Sequence, residues 1–278
     1  MPGRNIGILL MLTAASVCAH AQGLHHPARG TGKTGDAKPA PAARAPRRQD
    51  GHPDLSGVWQ SESATSKELS RLLPGGANGL GEDPPSKYFL NILSDFRPED
   101  TPLLPAAAAS FRERSGNFSQ QAPLSHCQPA GVPMAETAPA PYKIVQTPGL
   151  IVMLYERDTN FRQIYTDGRK LPEDPSPAWF GHSVARWAAD TLVVDTAGFN
   201  DRGWLDARGH THSDALRVTE RFHRRDFGHM DVEITLDDPK TYARPFTIRL
   251  NQILLPETDL IEYFCSENER DLRHFTGK

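Results

Sequence analysis

Short runs in which apolar and polar residues alternate, separated by turn-forming residues, dominate the chain from Lys143 onward. Alternation with a period of two is typical of β-strands that bury one face. The runs predicted as strands are 144–146, 151–156, 161–166, 182–187, 191–196, 215–222, 229–236, 247–254 and 260–264. Short loops join most neighbouring runs and no long helical stretch intervenes, which favours antiparallel hairpins. Because a meander of this many strands hides its edges by closing, we expect a mainly β protein built on an antiparallel barrel.

The region before Lys143 has a different pattern. Residues 54–59 predict a first strand, and three later segments have helical spacing, at 65–73, 85–95 and 105–114. Pro and Gly separate these segments from one another. We therefore expect a helical insertion at about 62–126, after the first strand of a single barrel domain that spans 51–278.

The first 50 residues predict an export signal followed by a tether. Residues 1–21 combine a positive charge at Arg4, a short apolar run and small residues around Ala21, which is typical of a signal peptide cleaved after Ala21. Cys18 offers the alternative of a lipoprotein anchor, although the residue before it is not small. Residues 22–50 hold little to bury and predict a disordered basic linker. We expect a periplasmic or secreted protein without a stable membrane anchor.

Two cysteines, Cys127 and Cys265, remain once the signal peptide is removed. An even number of cysteines in an oxidising compartment favours a disulfide between them. The alternative is a reactive thiol at Cys127, next to His126.

Composition narrows the possible functions. The chain is 38% hydrophobic and 23% charged, with a net charge of −3, which excludes a coiled coil and a multi-span membrane protein. This charge gives no reason to expect a nucleic acid as partner. The sequence contains no nucleophile-elbow, zinc-helix or dinucleotide motif, so no cofactor is predicted. A small-molecule ligand or substrate is the expected partner.

Some charged residues share a strand face with apolar ones. Glu220 falls on the face of Leu216 and Phe222. Glu156 likewise falls on the face of Val152 and Leu154, and Arg162 alternates with Ile164. A buried unpaired charge costs several kcal/mol, so we expect these groups to be paired or hydrated. One interpretation is a polar ligand cavity lined by Glu156, Arg162 and Glu220; the other is strand-end residues that reach solvent, or a structural ion pair.

Aromatic, imidazole and carboxylate side chains are concentrated on the predicted loops, as a binding or catalytic mouth requires. The candidate ligand-binding residues are Glu156, Arg162, Tyr165, Trp179 and Trp204. The candidate catalytic residues are His182, His210, His212, Asp206 and Glu220, in which a histidine acts as base and a carboxylate orients it.

The spacing of His210, His212 and Asp214 would also suit zinc or copper, with His182 as a further ligand. Such sites need three or four converging ligands. We predict no metal site and keep hydrogen-bonded loop histidines as the alternative.

Two resemblances support this picture. Gly57-x-Trp59 on the opening strand resembles the start of a lipocalin-type (calycin-like) barrel, in which the tryptophan packs across the closed end. From Cys127 to the end, the chain is similar to a family of uncharacterised secreted proteins from soil bacteria. The matching segments are IVQTPG at 144–149, FRQIYTDG at 161–168, DTLVV at 190–194, GFN at 198–200 and ERF at 220–222. The first resemblance implies a calycin-like barrel, and the second implies no activity.

The sequence therefore predicts a secreted, small-molecule-binding barrel with a polar pocket rimmed by histidine. The alternative is an enzyme on the same scaffold, an isomerase, hydratase or hydrolase that uses histidine and carboxylate acid–base chemistry on a small organic substrate. A fold of this kind hosts both, so the sequence leaves the choice open.

Overall fold

The computed structural model describes residues 43–73, 84–115 and 121–265. Its strands are β1 (Gly57–Ser61), β2 (Tyr142–Thr147), β3 (Leu150–Tyr155), β4 (Asn160–Tyr165), β5 (His182–Ala188), β6 (Thr191–Ala197), β7 (Arg217–Arg224), β8 (His229–Asp237) and β9 (Phe246–Leu254). They form one closed barrel in chain order, in which β9 pairs with β1. The predicted mainly β, closed-barrel fold is confirmed, and the architecture is consistent with a calycin-like barrel.

One strand pairing differs from the predicted antiparallel meander. β4 and β5 run parallel and share two residue pairs, Ile164 with Ser183 and Tyr165 with Val184. The reason is the connection 166–181, which is too long for a hairpin and returns the chain to the end of the barrel where β4 began. The barrel is therefore mixed, and this short pairing is its least extensive seam.

The prediction of a last strand at 260–264 is wrong. This segment is irregular and mostly exposed. The edge of β9 that it would have joined is already occupied by β1, with Trp59 opposite Leu254. No free edge of β9 was left to pair with it.

The two ends of the barrel differ. At the turn end, the hairpins β2–β3, β5–β6 and β7–β8 close with short turns. At the loop end lie the insertion between β1 and β2, the loop 198–216 and the loop 238–245. The histidine-bearing loops predicted from the sequence therefore share one end of the barrel.

Residues 43–50, predicted as part of the disordered linker, pack across the turn end. The backbone N–H of Phe227 donates to the carbonyl of Ala43 at 2.8 Å, and Arg47 forms an ion pair with Asp190 at 2.5 Å. The folded body thus begins earlier than predicted, because these contacts offset the entropy of ordering the segment. The rest of the predicted linker and the predicted signal peptide lie outside the described residues.

The insertion after β1 is helical, as predicted. It contains α1 (Ser66–Leu72), α2 (Lys87–Leu90), α3 (Pro105–Ser115) and α4 (Met134–Thr137). α1 begins with a capping box, in which the Thr65 side chain and the Glu68 side chain each accept a hydrogen bond from the other's backbone N–H. α2 is shorter than the predicted 85–95, and the insertion continues to β2 rather than ending near 126. The added part includes α4, whose residues are all buried in the mouth of the barrel.

Apolar side chains fill the lumen at both ends, with Trp59 and Phe222 toward the turn end and Val218 and Ile248 toward the loop end. The Trp59 indole N–H donates to the carbonyl of Leu55 at 2.9 Å, and the Arg224 guanidinium lies 5.0 Å from the centre of the indole ring. The tryptophan thus packs at the turn end.

Cys127 and Cys265 form a disulfide with a Cα–Cα distance of 5.4 Å. The bond joins the insertion to the segment after β9, which confirms the predicted pairing. It also rules out the alternative of a reactive thiol at Cys127.

Candidate functional site

A buried group of polar side chains, here called the barrel cluster, lies inside the lumen. Arg162 on β4 forms a two-pronged ion pair with Glu220 on β7: Nη1 donates to Oε1 at 3.0 Å and Nη2 donates to Oε2. Arg162 Nε also donates to Ser183 Oγ at 3.1 Å, and Nη2 donates to Thr196 Oγ1 at 2.8 Å. The planar guanidinium suits this arrangement because its donors are fixed in one fork. Of the two interpretations left open by the sequence, these contacts are those of a structural ion pair.

The second carboxylate of the barrel cluster is Glu136, from α4, which the sequence did not single out. Its Oε1 accepts hydrogen bonds from Arg162 Nη1 at 3.3 Å and from the Tyr155 hydroxyl. No periodic pattern marks this position, because Glu136 lies in an irregular stretch rich in Ala and Pro. It reaches the cluster only because α4 folds into the barrel mouth.

Burial and the neighbouring Glu220 carboxylate raise the pKa of Glu136 to about 7, against the opposing effects of Arg162 and Tyr155. One guanidinium therefore balances one carboxylate, Glu220, while Glu136 takes up a proton near neutral pH. Within the described residues, Glu136 Oε2, the Tyr142 hydroxyl and Gln252 Oε1 are buried without a hydrogen-bond partner. The barrel cluster is thus incompletely satisfied.

Glu156, predicted to line a cavity with Arg162 and Glu220, does not belong to this cluster. It follows the end of β3, and its Oε2 accepts from the backbone N–H of Ile261 at 3.1 Å. The buried face of β3 carries Ile151, Met153 and Tyr155 instead. The correction follows from parity: alternation places Glu156 with the outward residues, and the chain turns after Tyr155.

A second buried group, here called the loop cluster, centres on Asp206. Its Oδ2 accepts from His210 Nδ1 at 2.6 Å and from the backbone N–H of Ile92 at 2.7 Å. Its Oδ1 accepts from the backbone N–H groups of Arg208, Gly209 and His210 at 2.9–3.2 Å. Both carboxylate oxygens are therefore fully engaged, and the cluster ties the loop 198–216 to the insertion.

His210 is arranged for structure rather than for proton transfer to a ligand. Its side chain is 5% exposed, and the Phe111 ring stacks on it at 4.2 Å between ring centres. It pairs with Asp206 as predicted. The residues that line the cavities described below do not include it.

The three residues whose spacing would suit a metal ion, His210, His212 and Asp214, have separate partners in the structure. His212 Nδ1 lies 3.0 Å from the carbonyl oxygen of Ser213, while Asp214 faces solvent and pairs with Lys240 at 2.7 Å. Burial lowers the pKa of His212, so its neutral form is favoured. In the part of the chain that the structure describes, no group of three His, Cys, Asp or Glu residues is placed to hold a metal ion.

A cleft on the side of the barrel, here called the side cleft, collects several predicted residues. It has a volume of about 550 Å³ and is lined by Tyr165, Trp179 and His182, with Arg162 and Ser183 among its other lining residues. It lies at the seam where β4 and β5 share two residue pairs and where the connection 166–181 passes alongside. The three predicted residues come from β4, this connection and β5, so the fold brings them together across the seam.

The chemistry of the side cleft is aromatic and cationic. The Arg169 guanidinium lies 3.7 Å from the centre of the Tyr165 ring, and Arg202 lies 5.1 Å from the centre of the Trp179 ring. Lys170 also lines the cleft. His182 Nε2 lies 2.9 Å from the carbonyl oxygen of Ser176. Because a carbonyl can only accept, Nε2 is the donor, and this hydrogen bond fixes the orientation of the ring.

Trp204, the remaining predicted ligand-binding residue, lines a different cavity at the loop end, here called the mouth pocket. This pocket has a volume of about 230 Å³ and is also lined by Phe89, Leu124, Met134 and Arg157. Its lining is mostly apolar and contains no histidine among the described residues. The two cavities adjoin at Pro129, which lines both.

Comparison with known proteins does not assign this chain to a family. No protein-family model matches the chain, and no curated protein matches it significantly. None of the helices in the described ranges is long and apolar enough to cross a membrane.

Proposed function

We propose that this protein binds a small organic molecule in the side cleft. The observation that carries the proposal is the convergence of Tyr165, Trp179 and His182, from three segments, on one cleft of about 550 Å³. Ligand sites in proteins are concave, mostly apolar, furnished with a few fixed polar groups and about 300–1,000 Å³ in size. The side cleft fits each part of that description.

The lining favours a flat ligand with negative charge. Aromatic rings offer apolar faces for stacking, and Arg169, Lys170 and Arg202 surround them with positive charge. The ion pair of Arg169 with Asp167, at 2.6 Å, offsets part of that charge. An aromatic sulfonate or carboxylate is the ligand class that this arrangement would hold best.

Binding is better supported than catalysis. Of the predicted bases, His210 and His212 are buried and do not line the side cleft, and Glu220 is paired with Arg162. Acid–base chemistry in the cleft would rest on His182. The proposed setting is an oxidising compartment, which is supported by the disulfide between Cys127 and Cys265.

The test uses the aromatic anion 8-anilinonaphthalene-1-sulfonate and follows its fluorescence on titration. Each of the variants Tyr165→Ala and Trp179→Ala is expected to weaken binding by about fivefold or more, because each removes an aromatic wall. Phe227→Ala is the matched control, since Phe227 is also an exposed aromatic residue, 47% accessible, but lies in the turn between β7 and β8 and does not line the side cleft. Binding that is unchanged in both cleft variants, or an absence of binding, would contradict the proposal.

A further inference from the structure

The mouth pocket has the form of a second, independent ligand site. Its walls come from parts of the chain far apart in sequence: Phe89 in α2, Leu124 and Met134 in the insertion, and Trp204 in the loop 198–216. The disulfide of Cys127 with Cys265 fastens the part of the insertion that includes Leu124. Part of the pocket wall is therefore linked covalently to the segment after β9.

The size of the pocket limits what can enter. An apolar cavity of about 150 Å³ in another protein is known to hold benzene. At about 230 Å³, the mouth pocket has room for a single ring with a short substituent or for a short aliphatic chain. A two-ring molecule suits the larger side cleft instead.

The charge of the pocket selects one kind of head group. Among the described lining residues, Arg157 alone carries a cationic side chain, and its Nε is buried without a hydrogen-bond partner in the described part of the chain. Arg157 forms an ion pair with Asp158, whose Oδ2 lies 3.7 Å from that Nε, beyond hydrogen-bond distance. Burial raises the pKa of Asp158, against the opposing effect of Arg157. A carboxylate offers the pair of acceptors that a guanidinium binds best.

We propose that the mouth pocket binds a small apolar monocarboxylate, with its ring or chain against Met134 and Trp204 and its carboxylate on Arg157. This site does not depend on the side cleft. The two sites differ in lining, in volume and in the size of ligand they admit.

The experiment titrates phenylacetate, hexanoate and the neutral 2-phenylethanol into protein with ¹³C-labelled methionine methyl groups. Met134 lines the pocket, and the variant Met134→Leu assigns its signal. Phenylacetate or hexanoate is expected to shift the Met134 signal and to bind at least about tenfold more tightly than 2-phenylethanol, which corresponds to one charged hydrogen-bonded contact. Arg157→Gln should remove this preference, while Arg169→Gln, in the side cleft, should leave it intact.

A variant that fills the pocket completes the test. Ala207→Phe places a ring in the cavity and should abolish the binding of both acids, and urea unfolding of each variant shows that the fold is retained. The proposal is overturned if neither acid shifts the Met134 signal at millimolar concentration. It is equally overturned if the acids and 2-phenylethanol bind alike, or if Arg157→Gln binds phenylacetate as the native protein does. Since the dye test concerns Tyr165 and Trp179, the two proposals can fail separately.

Discussion

The barrel cluster and the loop cluster are both buried and both contain carboxylates, yet they are satisfied in different ways. In the loop cluster there is a single carboxylate, Asp206. Both of its oxygens accept hydrogen bonds from backbone N–H groups, and Oδ2 also pairs with the His210 ring. In the barrel cluster, Arg162 faces two carboxylates, Glu220 and Glu136, and several buried polar atoms of the described chain lack partners.

The difference follows from where the donors come from. Backbone N–H groups in a loop can turn toward one oxygen after another, because the loop conformation is not fixed by a sheet. In a strand, the backbone N–H groups already donate to the neighbouring strands. A charged side chain inside a barrel therefore depends on other side chains for its hydrogen bonds. The loop cluster is therefore complete and rigid, whereas the barrel cluster responds to proton concentration through Glu136.

The largest effect is expected from removing the central charge of the barrel cluster. Arg162→Met leaves Glu220 and Glu136 buried without their cation, and should lower the free energy of unfolding by roughly 3–5 kcal/mol. Urea unfolding at neutral pH measures this. Arg249→Met is the control, because Arg249 pairs with Glu233 on the outer surface at 2.9 Å and should change stability by less than about 1 kcal/mol. An equal decrease in the free energy of unfolding in the two variants would mean that the buried ion pair contributes no more to stability than the exposed one.

A pH-dependent effect is expected from Glu136. Its pKa is raised from 4.5 to about 7 in the folded protein, so the folded state binds more protons than the unfolded chain between these values. The free energy of unfolding should therefore fall as pH rises through this window. Glu136→Gln, which cannot ionise, should match the native protein near pH 4.5 and exceed its stability above pH 7 by on the order of 3 kcal/mol.

Unfolding curves across this pH range test the prediction, with Glu99→Gln as an exposed control. Parallel pH profiles for the native protein and Glu136→Gln would contradict it. A profile that rises with pH only in the native protein would reverse the assigned sign.

A smaller loss is expected in the loop cluster. Asp206→Asn keeps one acceptor oxygen but turns an amide N–H₂ toward Ile92 N–H and His210 Nδ1, and should cost about 2 kcal/mol. Hydrogen exchange should show the loss locally, in the amides of 204–211, while the amides of β7 stay protected. Asp214→Asn, on an exposed pair with Lys240, is the control. If both aspartate variants behave alike, the loop cluster is not the rigid element described here.

Residue alternation was enough to place most strands and the inward-facing charges. Arg162 and Glu220 have the parity of core residues, and the structure buries both. For Glu156 the error was which face is interior: it shares the parity of Val152 and Leu154, but the structure buries Ile151, Met153 and Tyr155 instead. Alternation shows which residues share a strand face, but when both faces are apolar it does not show which face is interior.

The candidate sites were less accessible to sequence reasoning. Loop aromatic and imidazole residues were expected to form one mouth, but Tyr165, Trp179 and His182 line the side cleft while Trp204 lines the mouth pocket. Glu136 and Arg157 were not singled out at all. Their roles depend on which distant segments pack together at the loop end. The spacing of residues within a short segment does not indicate such contacts.

By itself, the sequence determined that the chain forms a closed barrel of short strands, that a helical insertion follows the first strand, and that Cys127 pairs with Cys265. These features depend on local periodicity, turn chemistry and the number of cysteines, all of which are properties of short segments. Tertiary structure alone decided the parallel seam, the carboxylate that joins Arg162 and the positions of the two cavities. Each of these arises from contacts between segments distant along the chain, whose free energy depends on packing that neighbouring residues do not encode.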